Sequence, residues 1–495
     1  HPLLAVLGDS HDIVAELLRV WLRHSNILPG PPRGQARSDV TEPCSSPKAC
    51  ASHRIGGVSK ACEPAVVSRC GEQMTKPESV SVLCVGDTDT RLKWTSTIAQ
   101  SLIGSLPGSS VRYIAAGNAA PTPMQLASVG LHGPVVRVAD REFAASLGDC
   151  EVIVVCMRMY RLHAVLEHVR SVQASGQRRP IVITGYAGVV YEGHEMGALW
   201  RAGADVVCCN SERDFRLFED LYDELGLDPG VLVRSGVGVM AQDRMTIDSI
   251  IDRCRTLDEP TNVVFAVQPD VPRSRAERVV VLDALVAYAE RWPERVVTIK
   301  LRSRPGETTT HPEAHHYQDL ADTHLDVIPA NLRFSYGLMS AVLEETDLLI
   351  TVSSTAALEA LSYGVPAAIL TDFGVRANYG TPFFLRSGLL RSMAQLTDGD
   401  LPVPNAEWLE QNGFSVSDNP VAVVERLEEL LEMTDLPAPP PRFMDEANTP
   451  FLVGQAMGWV GAEATCRSSM RHRLRRLLNG PLRRSYVRFD GWLRR

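Results

Sequence analysis

The second half of the chain carries cations and hydroxyls at spacings that could handle a phosphate. The stretch VVTIKLRSRPGETTTHPEAHHY ends an apolar run in Lys300 and Arg302 and continues to His311-Pro312. Further on, DLLITVSSTAALEALSYGVPAAIL sets Ser353, Ser354 and Thr355 between a second apolar run and a helical pattern from about Ala356 to Ser362. Hydroxyls beside the unpaired N–H groups of a helix start suit an anion. Cations at a strand end one loop away suit the charge of a departing phosphate or pyrophosphate. His311 could add a hydrogen bond or a proton. Glu359, one turn into the helix, could reach the two hydroxyls of a ribose. The same features also read more plainly, as a Ser/Thr helix cap and a solvated strand end. His311 and His315 have i, i+4 spacing, but Pro312 lies between them and a third ligand is missing, so no metal site is expected.

The first half offers carboxylates instead. In GDTDTRLKW, Asp87 and Asp89 follow an apolar run and precede a helical one. Asp89 or Thr90 could simply cap that helix, which would account for one acidic residue and leave the other. In TGYAGVVYEGHEMG, Glu192 and His194 sit at the tip of a glycine-rich loop. Acid–base groups on loops above a rigid sheet are common in active sites. Asp87, Asp89, Glu192 and His194 are the general-base candidates, and each has a structural alternative.

These residues need a scaffold, and the chain supplies a repeated one. Val80–Gly86, Val111–Ala116, Val135–Val138, Val152–Cys156, Ile181–Thr184 and Asp205–Cys209 are short β-branched runs. Helical patterns fall between several of them, at Arg91–Ser105, Arg161–Gln173 and Glu212–Leu225. A polar connector spans Gln242–Pro260, and the rhythm then restarts. Its strands are Val263–Val267, Val296–Leu301, Leu332–Phe334, Leu348–Val352 and Ala367–Leu370, with a helix at Arg275–Arg291. Alternation of this kind means parallel sheets covered by helices on both faces. The expected fold class is α/β, with two Rossmann-like doubly wound domains, residues 80–245 and 258–434, facing across a cleft. Ligands bind beyond the carboxyl ends of such strands, so the loops there are the expected place for chemistry.

The ends differ in texture. Residues 1–79 read as a poorly structured extension, rich in Pro, Ser, Gly and Cys from Pro29 to Gly71, with too little patterned apolar surface to offset ordering entropy. Residues 1–73, before Met74, are expected to lie outside the folded enzyme. Residues 435–442 (DLPAPPPR) read as a Pro-rich spacer. The segment Arg467–Arg495 is strongly basic with interspersed Leu and Trp, which suits an anionic membrane surface or, alternatively, a solvated terminal helix.

Composition narrows the class. The 495 residues allow about two domains. A net charge of -9 argues against a general nucleic-acid binder. No apolar run approaches the ~18 residues of a membrane span, and no signal-peptide pattern opens the sequence. The 11 cysteines are odd in number and form no C-x-x-C pair, so a reducing cytoplasm is expected rather than a disulfide scaffold or zinc ribbon. There is no Walker motif, no G-x-G-x-x-G after the first strand and no G-x-S-x-G elbow; RSGVGVM offers only G-x-G.

Taken together, the motifs resemble those of GT-B glycosyltransferases. VTIKLR…HP followed by TVSSTAALEAL is similar to the paired His-Pro and Ser-Ser motifs of bacterial sialyltransferases and capsular Kdo transferases. The resemblance implies that Ser353, Ser354 and His311 bind the phosphate of a CMP-sugar and that an Asp or Glu of the other domain is the base. Here Arg302, not a histidine, directly follows the strand. From about Val80 to Leu436 the chain also resembles an uncharacterised bacterial family described as glycosyltransferases, through DTDTRLKW, IKLRSRPGETTTH and SSTAALEAL. The implied activity is metal-independent transfer of a sugar from a nucleotide donor, CMP-linked first and UDP- or GDP-linked next, to a surface glycan or lipid-linked acceptor. No cofactor beyond that substrate is expected. A UDP-sugar 2-epimerase of the same architecture, or a non-catalytic nucleotide-sugar-binding protein, are the alternatives.

Overall fold

The computed structural model describes residues 79–445, apart from 118–119, 128–129, 132, 140–141, 192–194, 239–244, 308–312 and 416–419. The extension before residue 79, the basic segment Arg467–Arg495 and the candidates Glu192, His194 and His311 therefore lie outside the described residues. What is described falls within one compact unit, Glu72–Arg495.

Two parallel sheets form as the β-branched runs require. The first contains β1 (Ser81–Gly86), β2 (Ser110–Ala116), β3 (Val135–Val138), β4 (Val152–Cys156), β5 (Ile181–Gly185), β6 (Val206–Cys209) and β7 (Leu232–Arg234). Their order is β3-β2-β1-β4-β5-β6-β7. The second contains β8 (Asn262–Ala266), β9 (Val296–Lys300), β10 (Leu332–Ser335), β11 (Leu348–Thr351), β12 (Ala367–Leu370) and β13 (Leu390–Arg391). Here the order is β10-β9-β8-β11-β12-β13. Central strands such as β4, β5, β11 and β12 are buried along their whole length, because helices cover both faces. The edge strands β7 and β13 have three and two residues, too few to show a period, and the sequence reading missed both.

Each sheet reverses its winding once, and each reversal opens a crevice at the carboxyl ends of two strands. In the first sheet β1 lies between β2 and β4, with Gly86 paired to Ala115 on one side and Cys156 on the other. Asp87 thus emerges at the switch point. In the second sheet the switch lies between β8 and β11, where Gln268 and Ser353 emerge.

Three segments depart from the reading of the sequence. The polar connector holds a helix, Ile247–Thr256, capped by the Thr246 side chain. Its Ile250, Ile251 and Cys254 are buried in the second domain's core; the apolar residues keep helical spacing although the composition is polar. The helix Val421–Leu431, placed by sequence at the end of the second domain, instead returns to the first. Its Val423, Leu427, Leu430 and Leu431 pack with Val80, Trp94, Ile98 and Leu102, and the Ser105 hydroxyl donates to Glu428.

The Pro-rich residues that follow are a strap rather than a spacer. Arg178 donates to the carbonyls of Met433 (3.0 Å) and Thr434 (2.8 Å). Arg179 donates twice to Pro437, at 3.2 and 3.0 Å, and Arg170 to Pro440 at 2.6 Å. Proline brings an acceptor but no N–H, so a run of prolines presents carbonyls that guanidinium groups can satisfy. Met444 closes the strap by burying itself with Leu199 and Trp200.

Candidate active site

The helix Asp89–Ser105 sets the first domain's contribution. Thr88 is its N-cap and accepts from the Arg91 N–H at 3.2 Å. Neither Asp89 nor Thr90 is needed for that purpose, so Asp89 starts the helix with its carboxylate free for another partner. That partner comes from the other domain. Arg302, just past the end of β9, donates through Nη2 to Asp89 Oδ2 at 2.9 Å. The second oxygen, Oδ1, is buried and has no hydrogen-bond partner among the described residues. One turn along the same helix, Lys93 stands 3.7 Å from Glu359, again across the two domains.

Asp87 behaves differently. Arg91 donates to its Oδ1 at 2.5 Å; Arg161 (2.9 Å) and the Arg158 backbone N–H (3.3 Å) donate to Oδ2. Its side chain has no exposure. It ties β1 to the start of the helix that follows β4, as a structural counter-ion, and its expected place among the bases is corrected on that ground.

The serine pair divides in the same way. The Ser353 hydroxyl donates to the Tyr379 carbonyl and accepts from Gln268 Nε2 at 3.2 Å, while the Ser353 N–H donates to Gln268 Oε1 at 2.9 Å. Only 1% of the residue is exposed. Ser353 therefore staples the switch crevice of the second sheet, and its hydroxyl is committed within the protein, contrary to the phosphate contact expected of it. Ser354 and Thr355 are half-buried. The Ser354 hydroxyl accepts from the Ala356 N–H at 3.2 Å, which leaves its own proton to donate, and Thr355 makes no cap hydrogen bond.

The cations are strongly placed. Lys300 is 5% exposed and donates to the Leu301 carbonyl at 2.8 Å. Burial, then the neighbouring Arg302, push its pKa down to about 8, against the pull of Glu359. Burial pushes the Glu359 carboxyl up, opposed by Lys93 and Lys300. Lys93, Lys300 and Arg302 thus meet two carboxylates, Asp89 and Glu359, an excess of one positive charge. That balance suits an anionic ligand.

Several site-forming residues had no recognised signal in the sequence. Gln268 gave none. Arg278, fully buried, donates to the carbonyls of Gln268 (2.8 Å), Pro269 (2.6 Å), Pro272 (2.8 Å) and His315 (2.9 Å), and so fixes two loops at once. His316 caps the helix Tyr317–His324 through Nδ1 and holds the Ser303 carbonyl 2.9 Å from Nε2; with Nδ1 accepting, Nε2 must carry the proton. Tyr191 crosses from the first domain, donates to the Ser353 carbonyl at 3.2 Å and packs against Phe383. Lys93 was findable, because it lies i+4 from Asp89 on one helix face. Among the described residues, no group of three His, Cys, Asp or Glu side chains is arranged to hold a metal ion. None of the described helices is long and apolar enough to cross a membrane.

A comparison with curated proteins finds no match. Among solved structures, a "putative UDP-N-acetylglucosamine 2-epimerase" from Listeria monocytogenes is 11% identical with a TM-score of 0.47, covering 72% of this chain and 98% of its own. The UDP-GlcNAc 2-epimerase of Neisseria meningitidis, bound to UDP-GlcNAc, is 11% identical at 0.46, covering 70% and 100%. Arabidopsis thaliana UGT89C1 complexed with UDP is 14% identical at 0.39, covering 76% and 99%. In sequence, residues 82–430 match the model of the family described as "Putative glycosyltransferase (DUF6716)". That match spans well over half of the chain, and the chain belongs to this family.

Proposed function

We propose that the protein transfers a sugar from a nucleotide-sugar donor to an acceptor hydroxyl, with Asp89 as general base. The observation that carries the reading is the pair Asp89–Arg302 across the cleft. A carboxylate of one domain, with a buried oxygen that has no partner among the described residues, faces the cations of the other. The acceptor hydroxyl gives its proton to Asp89 while its oxygen bonds to the anomeric carbon of the sugar. The bond from that carbon to the donor's phosphate oxygen breaks, and its electron pair stays on the phosphate. Lys300 and Arg302, with the hydroxyls of Ser354 and Thr355, stabilise the charge that grows there. Glu359 is assigned to the ribose hydroxyls, from its position one turn into the helix that follows Thr355.

A CMP-linked donor remains the first choice, on the resemblance of the Ser-Ser region, with UDP- and GDP-linked sugars next. The acceptor class proposed is a surface glycan or lipid-linked sugar.

Single-turnover consumption of CMP-, UDP- and GDP-sugars tests the reading. Asp89→Asn keeps the side-chain shape and removes the basicity, so the rate should fall by a factor of ~10²–10⁴. A variant that turns over normally would place the base elsewhere. Conversion of UDP-GlcNAc alone to its epimer would replace transfer by the epimerase reading.

A further inference from the structure

We propose that Asp89 and the donor phosphate compete for Arg302, so that the arriving donor takes the guanidinium and in the same event releases the base. The inference rests on the transfer reading above and adds an order to it.

The geometry of the free cleft motivates it. Arg302 spends one N–H on Asp89 Oδ2, and its side chain is 38% exposed. A guanidinium presents five donors in a planar fork that matches two phosphate oxygens at once. A single bond to one carboxylate oxygen uses little of that capacity. The Asp89 side chain is only 12% exposed, and Oδ1 is buried without a partner among the described residues, an arrangement that costs free energy until a donor reaches it. The bridge at rest therefore occupies one oxygen of the base and one N–H of the guanidinium. A phosphate seated beside Lys300 offers Arg302 a better partner. Once the guanidinium turns to it, Asp89 Oδ2 is open to the acceptor hydroxyl. Donor would bind first and acceptor second.

A conventional base lying apart from the donor should leave nucleotide affinity untouched when it is neutralised. Competition predicts the opposite: Asp89→Asn removes the rival for Arg302 and binds nucleotide more tightly. The gain should be about two- to fivefold, the range of a partly exposed ion pair. Isothermal titration of CMP, UDP, GDP and inorganic pyrophosphate would be run on wild type, Asp89→Asn, Arg302→Gln and the double variant. Asp89→Ser serves as a second neutral replacement if the Asn variant folds poorly. The expected result is tighter binding in Asp89→Asn and weaker binding in Arg302→Gln. In the double variant the gain should disappear, since non-additivity isolates the pair. Unchanged or weaker binding in Asp89→Asn overturns the proposal. So does a gain that survives in the Arg302→Gln background, because it would then be a general loss of negative charge. If none of the four ligands binds wild type, the transfer reading itself fails, which is a distinct outcome.

Discussion

Asp87 and Asp89 stand two residues apart at the end of one strand, and arginines decide between them. Three arginines meet Asp87 from its own domain and leave it no exposure. Among the described residues, Asp89 meets one arginine from the other domain and keeps an oxygen unpartnered. The sequence showed both carboxylates and where they would emerge, because strand ends are visible in apolar runs. It could not show which arginines would reach which oxygen, since those partners lie 4, 71, 74 and 213 residues away. Ser353 repeats the lesson: its position was legible and its commitment to Gln268 and Tyr379 was not. The Lys300 pKa, about 8 against an ordinary 10.5, means that the unfolded chain holds this proton more tightly. Its contribution to stability therefore rises with pH across that window. For an anionic ligand the consequence is reversed, and nucleotide affinity should fall as pH rises through about 8 and the ammonium is lost. Titrating affinity from about pH 6.5 to about 9.5 checks this, with Lys300→Arg giving a flat profile because the guanidinium stays charged. A flat wild-type profile would show that Lys300 does not face the phosphate.

The helix Asp89–Ser105 is the element on which the account depends, and Trp94 seats it. The ring lies against Gly185, the last residue of β5, and Gly238, in the loop after β7. A Cβ on Gly185 would come within 2.5 Å of it and one on Gly238 within 2.7 Å. Neither glycine is there for an unusual turn; each is there because an indole occupies the space. From sequence, TGYAGVVYEGHEMG reads as a glycine-rich loop with Glu192 and His194 at its tip. Its first glycine in fact sets the depth at which Asp89 and Lys93 enter the cleft. Gly185→Ala should push Trp94, and the helix with it, at a cost of about 1–3 kcal/mol in stability and a loss of turnover. Denaturant unfolding and a donor-consumption assay measure the two. Unchanged stability would mean that the ring has room to yield. Strand and helix positions were otherwise readable, since long apolar periods survive in any tertiary context. Short edges and a helix hidden in polar composition, β7, β13 and Ile247–Thr256, were not.

At the scale of the molecule, the chain crosses between its two domains more than once. Tyr191 reaches from the first into the second, and the helix Val421–Leu431 returns from the second to the first, followed by the arginine-held strap. None of this could be read from residues 421–445 alone, because their partners belong to strands and helices hundreds of residues earlier. The crossings leave the carboxyl ends of β1 and β9 close enough for Asp89 and Arg302 to touch, and a donor would enter between them. If this cleft binds a nucleotide through Arg302 and Lys300, ligand-dependent melting will report it. CMP, UDP and GDP should each be added to wild type and to Arg302→Gln. One of them should stabilise wild type by about 2.7 kcal/mol at 100 times its dissociation constant, and the shift should largely disappear in the variant. No shift with any nucleotide, or a shift that Arg302→Gln leaves intact, would contradict it.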